Sequence, residues 1–467
     1  MKGTIRRIVW WASVLALIFL VAELAIPLAM DAALRACDFA AFYCAGEAVG
    51  HGADPYRVMP LAACEHRVAT GPFFAQLAVM PAPLPPYVLA AFRVVAMVPF
   101  GLAQHLLDAV SVGAFALTVF LLHRLTRVPV MAVLFATAPF AWVVLMLGQP
   151  LLVLACALTS CAVLVRQDRD RLAALAASAL MVEPHVGICV CLSLFLWRKK
   201  TRLVLAATGT ACAALAVAAL SWPVVREYFT DVLPLHARSE VYGPGQFSLT
   251  AVLAALGVPA TSAVHAGAVQ YVVAGLCGVF VARAVAARLE NPAAVVVVPP
   301  LFAVLGGTFI HATDFILVLP AALLIAANTP RTVWATAAIV GLTAHWKAVG
   351  GLPGPLLSIV AATMVVYWRH RLLVPALAVG GAFAIAVALC TQTSGLGFAA
   401  LGSPLPGDFA ELAWERFMLA HPATGVDFLI RLPMWGALIV LCALAVELAA
   451  GGLKNAVRKQ RAALACT

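Results

Sequence analysis

Residues 129–166 read PVMAVLFATAPFAWVVLMLGQPLLVLACALTSCAVLVR, and Arg166, the last of them, is the only charged side chain. Two apolar runs, 129–147 and 149–166, meet at Gly148-Gln149. Each is long enough to cross most of a bilayer as a helix. Neither alternates apolar and polar residues with period two, as a membrane barrel strand must. In lipid a helix satisfies its own backbone groups, so this stretch reads as two membrane helices joined by a tight turn.

The same pattern extends outward in both directions. The 467-residue chain is 64% hydrophobic and only 11% charged, with a mean hydropathy of +1.02. Soluble domains are near half apolar and a quarter charged. This composition excludes a cytosolic enzyme, a disordered chain and an ordinary nucleic-acid binder. It leaves an all-α, polytopic integral membrane protein, read as a single membrane-embedded domain over 1–467. Candidate spans are 8–30, 104–123, 129–147, 149–166, 172–183 with 184–197, 203–221, 264–282, 293–305, 309–328, 332–347, 352–368, 372–392 and 431–450. Segment 87–103 reads as interfacial, re-entrant or a further span. Helix-length arithmetic gives about 11 to 14 spans. The first run follows Lys2, Arg6 and Arg7 and is longer than a signal-peptide core, so an uncleaved first helix is expected.

The formal net charge of +10 does not point to nucleic acid. Its lysines and arginines sit in short clusters at the ends of apolar runs, such as Arg166/Arg169/Arg171 and Arg198/Lys199/Lys200/Arg202. That is the pattern of cytoplasmic loops, with anionic lipid headgroups as partners. Both termini are then cytoplasmic, and outer loops fall at about 31–86, 222–248 and 393–430. A multi-pass cell (inner) membrane protein is expected.

The first outer loop concentrates the chemistry. Cys37-Asp38-Phe39 begins a stretch in which Phe39, Phe42 and Tyr43 recur at i, i+3, i+4, the spacing of a short amphipathic helix on the membrane. Asp38 at its start reads as a helix cap or as a functional carboxylate. Gly50, Gly52 and Asp54-Pro55 form a turn. No CxxC pair exists, and most cysteines lie in apolar runs as small hydrophobes. Cys37, Cys44 and Cys64 share the loop; in an oxidising compartment two of them can pair and leave one free. Glu183-Pro184-His185 breaks an apolar run, and His311 and Asp314 open another. Ionisable groups at such depth point to function or to satisfaction of freed backbone groups.

The order Asp38-Phe39, Tyr43, Ala45-Gly46, then Gly52-Ala53-Asp54-Pro55-Tyr56, resembles the glycosyltransferase 87 family. These are membrane-embedded enzymes of GT-C type that include the mycobacterial mannosyltransferases of phosphatidylinositol mannoside synthesis. Leu84-Pro85-Pro86-Tyr87, Gly148-Gln149, Glu183-Pro184-His185, Gln246-Phe247-Ser248-Leu249 and His311-Ala312-Thr313-Asp314 resemble further family segments in family order.

The resemblance implies transfer of a hexose, with mannose foremost, from a polyprenyl-phosphate donor to a lipid-linked or envelope glycan acceptor on the outer face. It implies Asp38 as the base. Arg35, Arg57, His185 and His311 become candidates to neutralise the leaving phosphate. Tyr43, Tyr56 and Tyr87 are candidates to line the sugar or prenyl path, with Asp54 and Gln149 as further binding residues. No cofactor is expected: there is no nucleotide-binding loop, which fits a lipid-linked donor. Glu183 departs from the family's usual lysine. A glutamate cannot hold a donor phosphate as lysine would, so another basic group does that work, the donor differs, or activity is altered. The rival readings are a multi-span transporter or flippase, and a non-catalytic family member.

Overall fold

The computed structural model describes residues 25, 28–29, 37–69, 79–243, 246–342, 405–420 and 434–451. The expected spans 352–368 and 372–392, nearly all of 8–30, and Arg35 lie outside these residues. The described chain is almost wholly helical. Its helices are α1 (Cys37–Gly50), α2 (Val58–Val68), α3 (Pro86–Val95), α4 (Phe100–Thr126), α5 (Val130–Leu147), α6 (Leu151–Arg166), α7 (Asp170–Ala179), α8 (Pro184–Trp197) and α9 (Arg202–Glu227). They continue with α10 (Leu233–Ser239), α11 (Leu249–Ala255), α12 (Ala260–Leu289), α13 (Ala294–Leu305), α14 (Leu319–Asn328), α15 (Thr332–Leu342) and α16 (Ala410–Ala420). The last is α17 (Met434–Gly451).

Proline and glycine punctuate these helices as their backbone chemistry requires. Pro99, Pro129, Pro150 and Pro259 each stand immediately before a first helical residue, where a preset φ helps and a missing N–H costs nothing. Gly148 ends α5 in the left-handed region at φ 71°, which a residue without Cβ adopts freely. The turn to Pro150 therefore leaves Gln149 between two helix ends.

Among the described residues five stretches are long and apolar enough to cross a membrane: α4, α5, Lys199–Tyr242, α12 and α17. The 27 residues of α4 reach about 40 Å at 1.5 Å per residue, more than a hydrocarbon core. Its Leu102, Leu106, Val110, Leu117 and Phe120 are exposed, as a lipid-facing stripe would be. Gln104, Asp108 and Ser111 on the opposite face are buried. Polar groups thus turn toward protein, and apolar ones outward.

Three expectations change. Segment 87–103 is divided: α3 has only ten residues, and α4 begins afresh at Phe100. The 222–248 segment is not an open loop, because helix continues through a π-turn at Tyr228–Val232 and α10 to Tyr242. A kink at Ser221 (φ 67°), two residues before Pro223, marks the bend. Finally, α1 is not an amphipathic surface helix. Phe39, Phe42 and Tyr43 are buried, their rings packed on Phe92 of α3 and Phe100 of α4. Protein rather than lipid covers that aromatic face.

The break at Glu183 is real. Helices α7 and α8 form a hairpin, and Arg198 at its end returns to Asp168 and Asp170 at its start, at 2.7 and 2.6 Å. The longer arm, 14 residues, extends only about 21 Å and is too short to cross a 30 Å core alone. A similar interruption precedes α14, where Ala312–Leu317 winds as a 3₁₀ turn. Irregular backbone at this depth persists where protein surrounds it.

Apolar packing forms two main cores. One joins α4–α8, α12–α15 and α17. The other joins α1–α4, α9 and the start of α16 around Phe39, Leu61, Leu89 and Tyr228. A disulfide, Cys44–Cys64, ties α1 to α2, and Cys37 remains a free thiol. The Arg67–Glu47 ion pair at 2.6 Å adds a second tie between the same helices.

Candidate active site

The polar cluster sits where these two cores meet, and each member arrives on a helix end or a break. Asp38 lies in the first turn of α1. One carboxylate oxygen accepts a hydrogen bond from Gln149 Nε2 in the α5–α6 turn; the other accepts from the Cys37 thiol at 3.5 Å. Burial raises the Asp38 carboxyl above the usual carboxylate range, and the Gln149 hydrogen bond and the nearby His311 charge oppose that rise. Such a carboxylate is a stronger proton acceptor than an exposed one.

His311 is held from three sides. An isolated antiparallel bridge pairs it with Gln246, and Phe247 N donates to Ile310 O at 2.7 Å. Gln246 Oε1 accepts from Ile310 N at 2.8 Å, which turns its amide nitrogen toward Glu240 Oε2 and His311 Nε2, both at 2.8 Å. The neutral ring accepts from Gln246; the protonated ring faces Glu240 Oε2 at 3.6 Å. Glu240 itself is buried, and Trp414 Nε1 in α16 donates to its second oxygen at 2.7 Å.

A third group joins the hairpin tip to the 3₁₀ turn. His185 Nδ1 stands 3.5 Å from Glu183 Oε2, and its Nε2 stands 3.4 Å from Asp314 Oδ2. Asp314 Oδ2 also accepts from the His311 backbone N–H at 2.8 Å, capping the 3₁₀ turn. Phe309 packs edge-on against the rings of both His185 and His236. Glu183, His185 and Asp314 each offer a ligand atom, and these lie within 4.8 Å of one another.

The structure thus brings Asp38, Gln149, His185 and His311 into one neighbourhood. It ties the other nominated residues elsewhere. The Tyr43 hydroxyl donates to Val98 O at 3.0 Å, and that of Tyr56 to Leu84 O at 3.0 Å. Tyr87 donates to Met181 O at 2.6 Å, just before the hairpin tip. Asp54 accepts from Tyr56 N at 3.0 Å and from Arg57 Nε at 2.8 Å. Arg57 also pairs with Glu227 at 2.8 Å and lies over the Phe409 ring. These contacts fasten the loop after α1 to α9 and α16.

Glu240, Gln246 and Trp414 were not nominated from the sequence as site residues. Gln246 carried a motif signal, and Glu240 carried the general signal of a carboxylate beside a long apolar run. Trp414 carried none, because it meets Glu240 only through tertiary packing.

No curated protein and no solved structure matches the chain. Residues 84–306 match the model of Glycosyltransferase family 87. That region supplies Gln149, Glu183, His185, Glu240 and Gln246 to the cluster, so the part of the chain that is similar to glycosyltransferase family 87 carries five of its members.

Proposed function

We propose that the protein is a membrane glycosyltransferase that moves a hexose, mannose first among candidates, from a polyprenyl-phosphate donor to a hydroxyl of a lipid-linked or envelope glycan acceptor. The observation that carries the reading is Asp38: a carboxylate with a raised pKa, fixed by Gln149 from the family-matched region. In this scheme Asp38 takes the proton of the acceptor hydroxyl as its oxygen bonds to the sugar's anomeric carbon. The bond from that carbon to the donor's phosphate oxygen breaks, and polyprenyl phosphate leaves with the electron pair. General-base assistance of this kind contributes about 10²–10⁴-fold. The leaving phosphate gains negative charge and needs a positive neighbour more than a proton. His311, which stands 3.6 Å from Glu240 in the same cluster, is the candidate for that neighbour when its ring is protonated.

The site would face away from the cytoplasm, with both termini cytoplasmic. The test is transfer in membranes from cells expressing the protein, supplied with radiolabelled polyprenyl-phosphate mannose, then with other polyprenyl-phosphate hexoses. Labelled lipid or glycan product above vector membranes is expected with one of them. No product with any polyprenyl-phosphate hexose, in membranes retaining the native acceptors, would overturn the reading.

A further inference from the structure

We propose that Glu183, His185 and Asp314 bind a divalent cation, of the Mn²⁺ or Zn²⁺ class, at the tip of the α7–α8 hairpin. The three ligand atoms converge within 4.8 Å. Atoms bound at about 2.1 Å around a tetrahedral ion stand roughly 3.4 Å apart. His185 Nε2 and Asp314 Oδ2 stand 3.4 Å apart. That spacing is long for a charge-assisted hydrogen bond, which closes to about 2.7–2.9 Å.

His185 itself gives an independent sign. Its Nε2 is buried and has no hydrogen-bond partner, with Asp314 Oδ2 3.4 Å away. A buried imidazole nitrogen left unsatisfied costs free energy that coordination would recover. Asp314 is already oriented for the task, since the His311 N–H holds its Oδ2 at 2.8 Å, the kind of outer contact that fixes metal ligands.

Charge balance agrees. Asp38, Glu183, Glu240 and Asp314 share this neighbourhood with three imidazoles, His185, His236 and His311. Among the described residues no lysine or arginine pairs with any of the four carboxylates. Buried charges are paired or coordinate metals. One nitrogen and two carboxylate ligands suit Mn²⁺ or Zn²⁺ better than a soft ion. The residues come from two distant breaks in the chain, which is why no short sequence motif announces them.

Binding stands apart from the transferase reading. Only its use rests on that reading: the bound ion would add positive charge beside the leaving phosphate. The experiment therefore reads metal, not activity. The full chain is reconstituted in nanodiscs, stripped with chelator and titrated at pH 7.5 with Mn²⁺, followed by electron paramagnetic resonance, and with Zn²⁺, followed by elemental analysis. One saturable ion per chain is expected, with nitrogen coupling from His185 in the Mn²⁺ echo spectrum. Glu183→Gln and Asp314→Asn should each weaken binding at least tenfold, whereas Asp38→Asn should retain it. Thermal melting checks that each variant is folded, and the nitrogen coupling tests the site in wild type without any substitution. Neither metal binding at one per chain would overturn the proposal, as would affinity unchanged in folded Glu183→Gln and Asp314→Asn.

Discussion

A methyl group at position 46 should disable the proposed base from two helical turns away. A Cβ on Gly46 would lie 2.4 Å from the backbone carbonyl carbon and oxygen of Phe92 and 2.9 Å from Arg93 N. Backbone atoms cannot rotate aside. Ordinary contact begins at 3.4 Å, so α1 and α3 must part by about 1 Å (3.4 − 2.4). Asp38 rides on the same helix, eight residues earlier, and its partner Gln149 belongs to the other core. The shift moves the carboxylate against its surroundings. A misplacement of about 1 Å costs on the order of 10²-fold in rate, and the overpacking costs roughly 1–3 kcal/mol of stability. Gly50→Ala is the control, since its Cβ would meet nothing closer than Arg93 Cγ at 3.9 Å. The assay is the initial rate of sugar transfer at matched protein, beside thermal melting in detergent. Gly46→Ala within twofold of Gly50→Ala in rate would refute the reasoning that this helix contact positions the base.

Three further outcomes follow from the loop that carries Asp38. Replacing Cys44 with serine opens a link between positions 20 residues apart; loop-entropy arithmetic gives a loss of about 3 kcal/mol, read as a lower melting temperature that reductant reproduces in wild type only. Burial pushes Glu65 up to about 8, against a hydrogen bond from Met80 N, while an unfolded glutamate titrates near 4.3. The folded state then holds a proton that the unfolded state has released, so stability falls with rising pH between those values by about 1.4 kcal/mol per unit from this group. Glu65→Gln should flatten the melting curve against pH between 6 and 8, and parallel curves would remove the effect. Arg57→Lys should lower stability by about 1 kcal/mol through its half-exposed pairs with Asp54 and Glu227; a tenfold rise in donor KM would instead show that Arg57 touches substrate.

Much of the fold was legible because proline, glycine and apolar length act locally. The run 129–147 becomes α5 at Val130–Leu147, and the pause at Gly148-Gln149 is the turn that delivers Gln149. The hairpin break at Glu183-Pro184 was legible for the same reason. The end of α9 was not: polar residues after 221 suggested a loop, yet Tyr228, Val232 and His236 are buried and packing keeps that segment helical. The face of α1 also misled, since helical spacing of Phe39, Phe42 and Tyr43 cannot tell a protein neighbour from lipid. In the site, a carboxylate or histidine at a helix break announces itself. What Glu183, His185 and Asp314 form together does not, because positions 183 and 314 meet only once the hairpin and the 3₁₀ turn are both in place. The Glu240–Trp414 contact at 2.7 Å is equally invisible along the chain.

The most direct test of the account replaces the proton acceptor alone. Asp38→Asn keeps the size of the side chain and an oxygen for Gln149, and removes the base. Transfer from polyprenyl-phosphate mannose, or whichever hexose donor the wild type uses, should fall at least a hundredfold, the low end for general-base work, while melting and donor binding stay near wild type. Equal product from wild type and Asp38→Asn would contradict the central claim and take Asp38 out of the chemistry.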